Sequence, residues 1–267
     1  KTMVLGIKLS HPPQSSSANQ LSVFAVNCLM DPGGHKFSTR VHPFQLRGAD
    51  VGVLGARELG AMLGGDAGLI AEFVELHGQP ENILVFRGGV SESQFAQVMA
   101  SEVQALRTVV AELSNNKAQG QWQPKLTVVV CQRRTGARFF PPPEGAGAHE
   151  RHHNFHAGLV VDAEIVNAQL FDFYLLSTPG LQGTSRPAYY HVLLDEAGYS
   201  ADALQRTTFN LCFGYSRCSK AVGCVTPIYY AEAAAQRVRL LNAHLFDGRG
   251  SDTMSVSSAT TAATAAT

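Results

Sequence analysis

Asn82-Ile83-Leu84-Val85-Phe86-Arg87-Gly88-Gly89 is a short apolar run closed by two glycines, and the segments that follow it decide the fold. Ser91 with Gln94 three residues later has the form of a capping box. Phe95, Val98, Met99, Val103, Leu106, Val109, Val110 and Leu113 then mark one face of a long helix. Lys125–Cys131, with Leu126, Val128, Val129 and Val130, is a second continuous apolar run of the kind buried on both faces of a sheet. Strand, helix, strand in that order is a parallel crossover unit, right-handed by the general rule.

Upstream, Thr2–Leu9 and Leu21–Leu29 are β-rich runs separated by a Pro/Ser-rich loop at His11–Asn19. The turn Asp31-Pro32-Gly33-Gly34-His35 leads into Lys36–His42, which alternates as a half-exposed strand does, so a three-strand meander opens the chain. Val51–Leu76 has helical spacing broken at Gly60, Gly64, Gly65 and Gly68, which predicts an interrupted helix. Downstream, Pro141–Gly147 is a loop, and Gly158–Ile165, Phe171–Leu176 and Tyr189–Leu194 return to strand patterning. Ser200 caps a helix through Leu204, Thr208, Leu211 and Cys212 toward Tyr215, and Tyr229–Leu245 forms the last helix. The fold class is α/β, with a central mixed β-sheet flanked by helices in one domain over residues 1–248. Residues 249–267 are mostly Ser, Thr and Ala with no aromatic side chain, and are expected to be a disordered tail.

Composition narrows the function. The chain has 267 residues, 45% hydrophobic and 16% charged, with 21 Lys plus Arg against 21 Asp plus Glu. A balanced charge excludes a bulk polybasic binder, so any nucleic-acid site is a local patch. No apolar run reaches the length that spans a bilayer, and no membrane partner is expected. Five cysteines, odd in number and mostly in apolar contexts, argue against a disulfide scaffold and for a reducing compartment. The sequence enters an apolar strand directly from Lys1, and reads as the C-terminal part of a longer polypeptide.

His149-Glu150-Arg151-His152-His153 matches H-E-x-x-H, but that zinc motif works only on a helix, where both histidines share a face. Here it lies between Pro141-Pro142-Pro143 with Gly145 and Gly147 on one side and Gly158 on the other, so a His-rich loop is the better reading. Cys212, Cys218 and Cys224 recur at intervals of six, unlike zinc-knuckle spacing, which leaves core packing. His11 and His191 have no partner at a telling distance, and neither a phosphate-binding P-loop nor a nucleophile elbow is present. Basic residues do cluster: Arg133 and Arg134 with Arg138 after a buried strand, Gln182 and Arg186 in a polar turn, and Arg217 and Lys220 with Tyr215 at the end of a helix. Guanidinium forks, amides and hydroxyls in loops are equipment for holding phosphates rather than for reading base edges.

Leu5-Gly6-x-Lys8-Leu9-Ser10-His11-Pro12, Phe86-Arg87-Gly88-Gly89-Val90-Ser91-Glu92-x-Gln94-Phe95, Phe171-Asp172-Phe173-Tyr174-Leu175, Gln182-Gly183-Thr184-Ser185-Arg186-Pro187 and Tyr229-Tyr230-Ala231 resemble, in order, the PIWI domain of eukaryotic Argonaute proteins. The resemblance runs to about Leu245. It implies an RNase H-like fold with the first and fourth strands adjacent at the sheet centre. It further implies small-RNA-guided silencing, with a small guide RNA, a complementary target RNA, MID and other Argonaute domains, and Trp-containing peptides as partners, in the cytoplasm or nucleus. Residues implied to hold the guide are Arg133, Arg134, Arg138, Gln182, Arg186, Tyr215, Arg217, Lys220 and Tyr229. Gly223 stands where the family usually has a hydroxyl.

In cleaving members, carboxylates on the two central strands hold two divalent ions. This sequence has Lys8 and Gly88 at those places, Glu232 after Tyr229-Tyr230-Ala231, and no acid in Val41–Arg47. Exchanging a carboxylate for an ammonium removes an attraction and adds a repulsion, each about 4 kcal/mol per unit-charge pair at 4 Å and effective dielectric 20. No catalytic residue, no metal ligand and no cofactor is therefore expected. The alternatives are a cleaving enzyme that uses Mg²⁺ on Glu232, Asp50 and Glu92, and a protein-interaction scaffold.

Overall fold

The computed structural model describes residues 1–11, 21–45, 53–116, 122–141, 154–178, 180 and 183–241. The tail expected at 249–267, the His149–His153 motif, Asp50 and Gln182 lie outside the described residues.

The meander and the crossover unit share one sheet. Strands β1 (Thr2–Ser10), β2 (Leu21–Leu29) and β3 (Phe37–Gln45) pair antiparallel. β4 (Asn82–Gly88) lies parallel to β1, and β5 (Lys125–Gln132) lies parallel to β4. β6 (Leu159–Val161), β7 (Asp172–Leu176) and β8 (Ala188–Asp195) extend the sheet beyond β5 with antiparallel pairs. The eight strands run in the order β3-β2-β1-β4-β5-β8-β7-β6, so β1 and β4 are central neighbours.

Period-two alternation along β1 builds both faces at once. Met3, Leu5, Ile7 and Leu9 face a layer made by α1 (Ala56–Leu63), α2 (Leu69–His77) and α4 (Gln104–Asn116), with Leu59, Leu63, Phe73, Leu106 and Val109 in one core. Val4 faces the other layer, where Phe86, Val129, Phe173 and Tyr190 meet Leu204 of α5 (Ala201–Asn210) and Ile228 of α6 (Thr226–Leu241). Gly6 is on that second face, and the first turn of α6 packs directly on it: a Cβ there would lie 2.4 Å from the Pro227 carbonyl carbon. The interrupted helix is confirmed, with α1 ending at Gly64 and Gly65 in the left-handed region at φ 68°.

The long helix begins as expected, with the Ser91 N–H donating to Gln94 Oε1 at 3.0 Å. A 3₁₀ turn at Glu92–Gln94 leads into α3 (Phe95–Val98), and a π turn at Met99–Val103 precedes α4. The wider turn carries Glu102 into the core, where it meets Arg87.

Two sequence expectations need correction. The strand expected over Gly158–Ile165 is only Leu159–Val161, because Asp162 turns away to accept Gln205 Nε2 at 2.8 Å and Glu164 is left-handed at φ 62°. The helix from Ser200 stops at Asn210 rather than running toward Tyr215. Cys212 is drawn into the core, and Gly214 passes so close to Gly34 that a Cβ would stand 2.7 Å from its carbonyl oxygen. Tyr215, Arg217 and Lys220 thus occupy an irregular loop. Cys28, Cys131, Cys212 and Cys224 are buried free thiols and Cys218 is exposed. No helix among the described residues is long and apolar enough to cross a membrane.

Candidate nucleic-acid interface

Parallel strands β1, β4 and β5 end at the same edge of the sheet, the place where open α/β sheets present their binding crevices. Lys8, two residues before the end of β1, is the register partner of Gly88 at the end of β4, which in turn pairs with Cys131 of β5. Lys8 and Gly88 lie on the face covered by α6. A Cβ on Gly88 would stand 3.1 Å from Ile228 Cγ2 and 3.2 Å from Lys8 Cδ, and one on Gly89 would stand 3.1 Å from Lys8 Nζ. The half-buried lysine therefore lies across the bare Gly88–Gly89 backbone, and Ile228 fills the space beneath it.

Glu232 follows Ile228 by one helical turn on the same side of α6, but its carboxylate is already engaged. Arg133, just past β5, donates Nη1 to Glu232 Oε2 at 2.6 Å and holds its guanidinium 4.7 Å from the Tyr229 ring centroid. A pair of divalent ions does not fit this donor set: an ammonium, a backbone glycine and a carboxylate committed to an arginine. Among the described residues no three His, Cys, Asp or Glu side chains converge as a metal site would require.

Behind Gly88 the backbone is fixed by a buried ion pair. Arg87 gives Nε to Glu102 Oε2 at 2.9 Å and Nη2 to Glu102 Oε1 at 2.9 Å, while its Nη1 donates to the Gly88 carbonyl at 2.7 Å. Glu102 also accepts the Leu54 N–H at 3.2 Å. With side chains 2% and 5% exposed, each charge depends on the other for compensation.

Among the described residues, the remaining candidates lie in three loops. Thr135 Oγ1 donates to the Pro187 carbonyl at 2.9 Å, joining the Arg133–Arg138 loop to the Arg186 turn. Arg138 is turned inward, giving Nη1 to the carbonyls of Thr135 and Ala137 at 2.9 and 2.6 Å. The Arg186 turn is shaped by Asn154, whose Oδ1 accepts the Ser185 N–H and whose Nδ2 donates to the Gly183 carbonyl, both at 2.9 Å. Gly183 sits in the left-handed region at φ 72°. The Tyr215 ring packs, tilted, with its centroid 5.2 Å from those of both Tyr229 and Tyr230, and the Tyr230 hydroxyl accepts the Ser216 N–H at 3.0 Å, which pins the loop carrying Arg217 and Lys220. Tyr229 accepts the Gly223 N–H at 3.3 Å, a backbone donor at the position that lacks a hydroxyl. Arg134, Arg186, Arg217 and Lys220 are exposed, and none forms an ion pair among the described residues.

The structure thus brings Arg133, Tyr229 and Tyr215 together, commits Arg133 and Arg138 to partners within the chain, and leaves four cations free. Sequence reasoning missed the Arg133–Glu232 pair, the Ile228 filling and the Asn154 brace. It also missed a buried chain in which the Tyr189 hydroxyl donates to Asp172 Oδ2 at 2.6 Å beside His191. The partners in the Arg133–Glu232 pair are 99 positions apart, so no spacing rule would have found them.

The comparisons with known proteins agree with this geometry. The Piwi domain family matches residues 1–243. Protein argonaute 5 of Arabidopsis thaliana is 38% identical over 262 residues, covering 94% of this chain and 25% of that protein. Protein argonaute 11 of Oryza sativa subsp. japonica is 38% identical over 249 residues, covering 89% of this chain and 27% of that protein. The chain therefore spans about a quarter of the length of these relatives. Among solved structures, the C-terminal lobe of a budding yeast Argonaute superposes with a TM-score of 0.78 at 26% identity, over 88% of this chain and 46% of that one. Kluyveromyces polysporus Argonaute with a guide RNA gives 0.77 at 26% identity, over 88% and 28%. The sheet order, the paired central strands and the family match lead to one assignment: this RNase H-like chain belongs to the Piwi domain family.

Proposed function

We propose that this chain is the guide-holding module of a small-RNA-directed silencing protein, and that it retains guide RNA and its paired target without cutting either. The observation that carries the reading is the juxtaposition at the sheet centre. Lys8 faces Gly88 and Ile228 crowds position 88 from α6, so the place where acids would gather metal carries a positive charge and no side-chain ligand. The solved relative with a guide RNA supports RNA as the ligand.

Groups suited to holding phosphate support this reading. Arg134, Arg186, Arg217 and Lys220 offer free cations, and Tyr215 and Tyr229 ring faces; Arg133 and Arg138 hold the loop that presents Arg134. Its partners are the guide, the paired target, the MID and other domains of a longer protein, and Trp-bearing peptides, in cytoplasm or nucleus. Four free cations on a single-stranded backbone give a log–log salt slope near −3, at about 0.7 per phosphate.

The test is incubation of the chain, loaded with guide, with a fully paired target in Mg²⁺ or Mn²⁺, alongside a salt titration of RNA binding. Intact target and steep salt dependence are expected. A site-specific product within the paired region would overturn the reading, as would an Arg134→Ala/Arg186→Ala variant with the parental affinity and slope.

A further inference from the structure

Lys8 is unusual among the cations of this chain. Its side chain is half-buried at the centre of the sheet edge, lies across two glycines that offer no side chain, and forms no ion pair or hydrogen bond among the described residues. An ammonium held partly out of water without a counter-ion is unfavourable in the free protein, and an anion that docks on it removes that cost.

The groups that could neutralise Lys8 are occupied elsewhere. Glu232 is bound by Arg133, and the Gly88 carbonyl by Arg87 Nη1. The next residues of the chain add to the positive field. Arg239, on the last turn of α6, reaches back to the carbonyls of Ser10, at 2.7 Å, and His11. Desolvation first, and then the charges of Arg239, Arg87 and Lys8, hold the His11 imidazole below its ordinary range, so that several cations act at this one place in a chain of zero formal net charge.

We infer that Lys8, seated on the Gly88–Gly89 backbone, is an anion site that takes one phosphodiester oxygen of a bound RNA strand with its own tethered charge and without a divalent ion. The site stands on the geometry of Lys8; only the identity of the strand rests on the function proposed above. The ligand class follows from the surroundings. A single ammonium beside an apolar Ile228 suits a monoanionic diester, and a bidentate carboxylate would want a guanidinium fork.

Two measurements on the full chain test this. The first is binding of guide–target duplexes in which one backbone phosphate at a time is replaced by an uncharged methylphosphonate, with the parent, Lys8→Met and Lys8→Arg, in EDTA and in Mg²⁺. One position should weaken binding to the parent roughly tenfold or more, the loss of one charge-assisted contact. That position should have no effect on Lys8→Met, and its effect should return in Lys8→Arg. Parental affinity should be the same in EDTA and in Mg²⁺. The second is titration with inorganic phosphate followed at the Gly88 and Gly89 amide resonances, which should shift saturably in the parent and not in Lys8→Met.

If RNA binds the parent but Lys8→Met shows the same interference pattern and the glycine amides stay still, the anion site is refuted and the guide-holding function stands. If RNA does not bind but phosphate shifts the glycines through Lys8, the site stands for free phosphate and the RNA reading falls. Loss of both signals refutes both.

Discussion

Replacing Glu102 by Gln removes one negative charge from the most buried ion pair among the described residues while keeping shape and volume. The carboxylate receives Arg87 Nε at 2.9 and 3.1 Å on its two oxygens, Arg87 Nη2 at 2.9 Å and the Leu54 N–H at 3.2 Å. After the exchange the guanidinium, 2% exposed, keeps its charge and loses its counter-ion, and an amide NH₂ faces one of its donors. Breaking a buried pair on one side costs about 3–5 kcal/mol, a large share of the roughly 5–15 kcal/mol that holds a domain folded. With a urea dependence of about 3 kcal/mol per molar, the unfolding midpoint should fall by about 1–2 M. The assay is equilibrium urea denaturation followed by far-UV circular dichroism, with Arg87→Met/Glu102→Leu as the companion. Removing both charges should recover most of the loss, because the penalty comes from an uncompensated charge and not from the missing bonds themselves. A Glu102→Gln midpoint equal to the parent's would refute the reasoning, as would a double variant as unstable as the single one.

Gly6→Ala should destabilise the chain by about 1–3 kcal/mol or more, since the new Cβ meets the backbone of Pro227 at 2.4 Å. Gly136→Ala, with open space around it, should leave the thermal midpoint unchanged. Lys8→Asp/Gly88→Asp should bind Mn²⁺ more weakly by calorimetry than the same pair with Ile228→Ala, because Ile228 crowds the new side chain at 88; equal affinities would remove the steric part of the argument. Burial lowers the His191 imidazole below its ordinary value near 6.5 against the opposing pull of Asp172 and Glu92. The unfolded chain then binds the proton more readily, so this stability is fully present above about pH 6.5 and is lost as pH falls through the folded value. The parent-minus-His191→Asn difference in unfolding free energy should shrink between pH 7.5 and 5.5, and a flat difference would contradict it.

Lys125–Cys131 and Asn82–Arg87 were legible as strands because short continuous apolar runs, the second closed by two glycines, leave few alternatives, and the capping box at Ser91 marked the helix start without any tertiary information. The resemblance to the PIWI domain implied that Lys8 and Gly88 lie on neighbouring strands, and the register confirms it. The boundaries that failed did so where a distant partner intervened: Asp162 leaves its strand for Gln205, and α5 stops where Cys212 is drawn into the core and Gly214 meets Gly34.

The sequence by itself determined most of the strands and helices, the sense of the opening meander and of the crossover unit, and the inventory of charges at the sheet edge, because burial periodicity and turn chemistry are written over a few neighbouring residues. Only the tertiary structure decided which charges are spent and which are free. Arg133 is taken by Glu232, Arg138 by its own loop and Arg87 by Glu102, while Lys8 is left over two glycines with Ile228 in the gap. Those outcomes depend on where side chains point across strands and helices that are far apart in the chain, and an ion pair forms or fails over an ångström of separation that no sequence spacing encodes.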